Sequence, residues 1–154
     1  MNLRAARTLA NEILLAGRKR FDAMLGIVSR IHDDTYEIFA VASETGIPEV
    51  GDSYPLTAVY CREVVEKRHT VAITEIDGVP GLSRHPLYDA IPCECYLSSP
   101  IFVDDKVWGT LNYTSLEARD TPYSAEDIAD NEAQALRIAQ AMSTAMGNPG
   151  FIPG

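Results

Sequence analysis

Apolar residues at the start of the chain recur at helical spacing. Leu3, Leu9, Ile13, Leu14, Phe21, Met24 and Leu25, with Ala6 and Ala10 between them, hold one face, and the charges fall mainly elsewhere. That spacing predicts an amphipathic helix over residues 3–25. Gly17 weakens it, since glycine in a helix interior costs about 1 kcal/mol relative to alanine. The period then changes. Gly26–His32 and Thr35–Ser43 are rich in β-branched and aromatic residues, and Asp33-Asp34 between them reads as a hairpin turn. Thr45–Ser53, with Gly46, Pro48 and Gly51, reads as loop.

Leu56–Arg68 sets Leu56, Val59, Tyr60, Val64 and Val65 on one face of a short helix that Thr57 is placed to cap. Thr70–Ile76 reads as a short strand. Asp77–Pro92 carries two glycines, three prolines, His85 and Tyr88. A connection of that length in a compact domain is usually functional or disordered. Cys95–Val103 and Lys106–Ser115 form a second hairpin about Asp104-Asp105. The last helix is predicted over 124–146. Ser124 is its cap, and Glu126 and Asp127 place negative charge in the first turn, where the helix dipole favours it. Tyr123 and Ile128 have the spacing of a hydrophobic staple. Ile128, Ala135, Ile138, Ala139, Met142 and Met146 carry the apolar stripe to Gly147, and the Pro/Gly tail 148–154 is expected to be flexible.

The order helix, hairpin, helix, strand, long loop, hairpin, helix implies an α+β fold. A central antiparallel β-sheet carries the N- and C-terminal helices on one face, and the short helix plus long loop cover the other. Residues 1–147 then make one domain, comprising helix 3–25, core 26–120 and C-terminal helix 124–146.

Composition narrows the function classes. A chain of 154 residues is one domain by default. No apolar run reaches the roughly 18 residues a membrane span needs. Three cysteines without an export signal point to reduced thiols and a cytoplasmic setting. The net charge of −9 opposes binding to a nucleic-acid backbone, whose partners are basic. Charge is unevenly spread, however. Residues 1–30 hold six basic against two acidic residues, while the remainder holds seven against twenty. With no aromatic residues interleaved for base stacking, the basic face is expected to be solvated, or to meet an acidic helix of the same fold or of a second copy.

Several segments in order resemble the GAF domain: Gly51-Asp52-Ser53-Tyr54-Pro55-Leu56 with Tyr60-Cys61 and Val64-Val65-Glu66, then Arg84-His85-Pro86-Leu87-Tyr88, Tyr96 to Ile101, Val107 to Ser115, and Pro122 to Asp127. The likeness spans roughly residues 5–146. It is greatest to GAF domains of bacterial sensor histidine kinases and cyclic-dinucleotide enzymes. The resemblance implies a small-molecule sensory module with its ligand cavity on the loop side of the sheet, often dimerising through its first and last helices. The chain carries no kinase, cyclase or DNA-binding output, so signalling expects a separate partner or further chain.

Alternation along the strands is compatible with that cavity. Thr110, Asn112 and Thr114 share one face of the last strand, opposite Gly109, Leu111 and Tyr113. On its neighbour, Tyr96 and Ser98 share a face, opposite Leu97, Ser99 and Ile101. Packed beneath two apolar helix stripes, the polar set would be left unsatisfied. It is therefore expected to face the loop side and form a cup roofed by Tyr60, Cys61, His85 and Tyr88. The expected occupant is a small molecule of unspecified identity, and no cofactor is specified.

Three chemistries compete with sensing. Cys93, Cys95, Cys61 and His85 have the donor types of a soft-metal site, but Cys-x-Cys lacks the spacing of structural zinc sites, so no metal is assigned. Some free-standing GAF proteins reduce free methionine sulfoxide with paired cysteines, and Cys61 with Cys93 or Cys95 makes such a thiol enzyme the alternative. The carboxylates that hold a cationic substrate in that group correspond here to Tyr96, Asn112 and Thr114. Bilin attachment needs a Cys-His pair, and Cys93-Glu94 and Cys95-Tyr96 do not supply one. Trp108 and Tyr113 read as packing, and the alanines of the last helix (Ala133, Ala135, Ala139, Ala141, Ala145) also permit a purely structural dimerisation domain.

Overall fold

The computed structural model describes residues 3–44, 46, 49–55, 68–73, 95–115 and 122–146. Helix α1 (Leu3–Phe21) leads into β1 (Leu25–His32) and β2 (Thr35–Ser43); β3 (Ser53–Pro55), β4 (Val71–Ile73), β5 (Cys95–Val103) and β6 (Lys106–Ser115) follow, and α2 (Ala125–Met146) closes the chain. The strands form one sheet in the order β3-β2-β1-β6-β5-β4, with every neighbouring pair antiparallel. The expected α+β architecture is present, with both long helices on one face. The predicted helix at 56–67, residues 74–76 of the predicted strand and the long connection 77–92 lie outside the described residues, as does the tail 148–154.

Several boundaries differ from expectation. The first helix stops at Phe21, not at residue 25. Asp22 adopts a left-handed conformation (φ 50°), and the Ala23 N–H donates to the Arg18 carbonyl at 2.9 Å. That six-to-one bond closes the helix as a Schellman cap, with aspartate in the place usually held by glycine. Met24 and Leu25 are released to begin β1 and bury themselves on the opposite face of the sheet. Ser53, read as the last residue of a loop, instead opens the strand Ser53–Pro55, which pairs with Thr35–Glu37 at the sheet edge, a position proline tolerates. Arg68, placed at the end of the short helix, is a turn residue at φ 58°.

Both predicted hairpins have the expected strand ends, except that β1 starts one residue earlier. Asp33-Asp34 and Asp104-Asp105 all have positive φ, between 50° and 62°. Two consecutive left-handed residues make the primed turn that fits the twist of a hairpin, and aspartate tolerates it better than most side chains.

Two register shifts shape the helix side of the sheet. Val28 faces Ala40 while Ser29 faces Ile38, so Phe39 is an extra residue in β2. Ile101 faces Gly109 while Phe102 faces Val107, so Trp108 is extra in β6. Each bulge turns an aromatic side chain towards the helices. Their rings meet edge to face with centroids 5.3 Å apart, and the Arg7 guanidinium stacks 4.4 Å from the Phe39 centroid. Around them lies the larger core: Ala6, Ala10 and Leu14 of α1, Leu97, Ile101 and Leu111 of the sheet, and Ala135, Ile138 and Met142 of α2.

The basic stretch of α1 meets the acidic start of α2. Arg20 pairs with Asp127 at 3.3 Å and with Asp130 at 3.5 Å. These contacts join the C-terminal end of α1 to the N-terminal end of α2, so the two helices run antiparallel.

Candidate functional site

The sheet face turned away from the helices carries the polar set. Strand alternation delivers Ser29 from β1, Tyr36 from β2, Thr110, Asn112 and Thr114 from β6, and Tyr96 and Ser98 from β5, all at most 2% exposed. Apolar neighbours border them. Met24, Leu25, Ile27 and Ile38 join Tyr36 and Tyr96 in a second, smaller core, with Tyr54, Val71 and Ile73 packed against it. The five described residues of the predicted site, Tyr96, Ser98, Thr110, Asn112 and Thr114, are therefore brought to one face. Tyr60, Cys61, His85 and Tyr88, the predicted roof, lie outside the described residues.

Hydrogen bonds join part of this set. The Thr110 N–H donates to Ser29 Oγ at 3.1 Å, and the two hydroxyls lie 2.6 Å apart. Asn112 Nδ2 donates to the Tyr36 hydroxyl at 3.1 Å and to Thr110 Oγ1 at 3.2 Å. Thr114 differs. Its Oγ1 is buried and has no hydrogen-bond partner among the described residues, an arrangement that costs about 1–3 kcal/mol for a group taken out of water. The buried described residues of this face include no carboxylate, guanidinium or ammonium. What the face offers a ligand is neutral hydrogen bonding over an apolar floor, the usual character of a small-molecule site.

Ser29 and Tyr36 were not among the predicted site residues. Their signal was nonetheless present: Ser29 is a lone hydroxyl at an inward position between Ile27 and Ile31, and Tyr36 lies across from β1 at the same end of the hairpin.

The helix face holds a second polar cluster. Ser99 shares a face with Leu97 and Ile101, as alternation requires, and it is fully buried. Asn131 of α2 reaches down to it: Nδ2 donates to Ser99 Oγ at 2.9 Å and to the Leu111 carbonyl at 3.3 Å. Ser99 Oγ also lies 2.8 Å from Thr70 Oγ1, and that hydroxyl donates to Glu132 Oε2 at 2.7 Å. A polar residue therefore can sit beneath an apolar helix stripe when that helix supplies a matching amide.

Of the thiols, Cys95 is buried and free. It stands two residues before Leu97 and so shares the helix face, across the sheet from Tyr96 and Thr114. Cys61 and Cys93 lie outside the described residues. Among the described residues no group of three metal-ligating side chains occurs. Trp108 and Tyr113 pack in the larger core, as expected. The Tyr113 hydroxyl donates to the Ile13 carbonyl at 3.2 Å, and burial, with the Asp130 charge as a smaller cause, raises its pKa well above the ordinary 10.0.

Comparison with known proteins places this architecture. The family model of the GAF domain matches residues 4–143. No curated protein sequence matches the chain. Among solved structures, the chain is similar to the type II free methionine-R-sulfoxide reductase of Thermoplasma acidophilum, with TM-score 0.72 and 14% identity over 92% of this chain and 95% of that one. It is similar to the blue-light absorbing form of the PixJ GAF domain of Thermosynechococcus elongatus, at TM-score 0.71 and 20% identity over 92% and 89%. The GAF domain of a phosphoenolpyruvate-protein phosphotransferase from Coxiella burnetii aligns at TM-score 0.72 and 16% identity over 95% and 86%. At these identities the likeness is one of fold. No helix among the described residues is long and apolar enough to cross a membrane.

Proposed function

The chain belongs to the GAF domain family, and from that premise we propose that it is a small-molecule-binding sensory module of a signalling system. The ligand sits against the polar face of β5 and β6, and the two terminal helices read out its presence. The observation that carries this reading is Thr114: a buried hydroxyl without a partner, among Tyr96, Asn112 and an apolar floor, is a group awaiting a hydrogen bond. Solved structures of similar fold include a free methionine-R-sulfoxide reductase and a blue-light absorbing domain, so the face and not the fold selects the occupant. Sensing also needs a difference in affinity between two arrangements of α1 and α2, because a ligand that binds both equally shifts neither.

A thermal-shift screen against nucleotides, tetrapyrroles and amino-acid metabolites tests the reading. A hit is expected to raise the melting temperature of the native chain, and Thr114→Val is expected to abolish that rise. The unliganded variant should be more stable than the parent by about 1–3 kcal/mol, since valine removes a buried hydroxyl that has no partner among the described residues. Absence of any hit, together with a side-chain-filled floor in a crystal structure, overturns the reading.

The similarity to a free methionine-R-sulfoxide reductase supports a second reading, a thiol enzyme using Cys61. Cys95 faces the helices, so on this reading the resolving thiol is Cys93. Thioredoxin-coupled turnover of free methionine sulfoxide that disappears in Cys61→Ser is its signature, and lack of turnover disposes of it.

A further inference from the structure

The strongest unassigned feature lies on the helix side, outside the cup. A groove of about 370 Å³ opens between α1 and α2, and Gly17, Tyr113 and Asn131 are among its lining residues. Small-ligand sites begin at about 300 Å³. Asn131 is 1% exposed, and both bonds from its Nδ2 are spent on Ser99 and Leu111. The Leu111 carbonyl accepts only from a donor, which fixes the orientation of the amide and leaves Oδ1 as the buried atom without a partner. The Tyr113 hydroxyl spends its proton on the Ile13 carbonyl and so offers the groove only a lone pair.

Its walls carry charge of both signs. Arg20 is already held by Asp127 and Asp130. Glu12 of α1 and Arg137 of α2 remain, and among the described residues neither has an ion-pair partner. Arg137 leans on the neutral Gln134 at 2.8 Å, which leaves its charge uncompensated. The two opposite charges line one groove, yet stand beyond ion-pair distance of each other. A carboxylate and a guanidinium, each without an ion-pair partner among the described residues, complement a molecule with an ammonium and an anionic end.

We propose that this inter-helix groove is a second small-molecule site, for a zwitterion of the amino-acid class, its ammonium directed to Glu12 and its carboxylate to Arg137. Leu9, Ile13 and Phe21 supply the apolar wall for its side chain. Because its walls belong to different helices, occupancy bridges α1 and α2 directly. The site stands independently of the cup on the other face of the sheet.

The test is a titration of the full isotope-labelled chain with L-alanine, L-methionine and γ-aminobutyrate, followed by amide NMR, with acetate and methylamine as single-charge controls. At least one zwitterion is expected to give saturable shifts at the Gly17 backbone and the Asn131 side-chain amide, with a Kd of about 1 mM or tighter. Glu12→Gln and Arg137→Gln change exposed side chains and should leave the melting temperature unchanged, yet each should weaken binding about tenfold. No saturable response, a response that survives both substitutions, or equal responses to the single-charge controls overturns the proposal. Shifts confined to Ser98, Asn112 and Thr114 also overturn it, while supporting the cup as the ligand site; water alone in the groove gives none of the expected shifts and overturns it too.

Discussion

At the scale of single residues, the chain spends helix propensity to admit a tyrosine. A Cβ on Gly17 would collide with the Tyr113 hydroxyl, which reaches past α1 to the Ile13 carbonyl. Gly17→Ala gains about 1 kcal/mol of helix propensity but must displace a buried ring, so a net loss of about 2 kcal/mol is expected in urea denaturation. In a Tyr113→Phe background the loss should shrink, and the double-mutant cycle reports the coupling. The same tyrosine sets an alkaline limit. Its folded pKa lies above 10.0, so above that pH the unfolded chain releases a proton that the folded chain retains. The folded state then binds more protons, and stability falls as pH rises past about 10, while below it the contribution is fully present. Urea midpoints measured on either side of pH 10 should drop for the native chain and drop less for Tyr113→Phe.

At the scale of elements, the start of α2 is a reciprocal cap. Ser124 Oγ accepts from the Asp127 N–H and Asp127 Oδ2 accepts from the Ser124 N–H, each at 3.0 Å, while Tyr123 is buried and Ile128 packs beside it. Ser124→Ala should cost about 1 kcal/mol, read as a lower urea midpoint at unchanged slope. This cap was legible in the sequence because its signal is local: Ser124, Asp127 and the staple pair lie within six residues. The hairpins were legible for the same reason, with periodicity fixing the strands and paired aspartates marking the turns. The end of α1 was not, because Met24 and Leu25 fit the helical stripe equally well. What stops the helix is a backbone bond behind Asp22, and an aspartate is a weak announcement of a cap that glycine usually makes. The short strand β3 was missed because pairing with β2, a long-range event, defines it. Within the site, alternation sorted Tyr96, Ser98, Thr110, Asn112 and Thr114 correctly by face. Ser29 and Tyr36 escaped because their partners lie on strands 76 and 81 residues away in sequence. The same holds for Asn131, whose place in the apolar stripe made sense only once Ser99 lay beneath it.

At the scale of the whole molecule, the two long helices cover one face of the sheet and each leaves a leucine exposed to solvent. Leu15 of α1 is 57% exposed and Leu136 of α2 58%, beside exposed Ala129 and Ala133. Association of two copies through these helices, proposed here alongside sensing, should give a dimer in light scattering at micromolar concentration, and Leu15→Lys should convert it to monomer; a native chain that is monomeric there removes the dimer from the reading. Whatever the stoichiometry, the antiparallel course of α1 and α2 has a mechanical corollary. The Arg20 ion pairs pin one pole of the helix pair, and the helix ends Leu3 and Met146 lie away from it, towards the opposite pole. A sliding of either helix by one turn would therefore part or align the points at which the backbone enters and leaves, converting an axial shift of about 5 Å into a change of spacing felt by anything tethered to both.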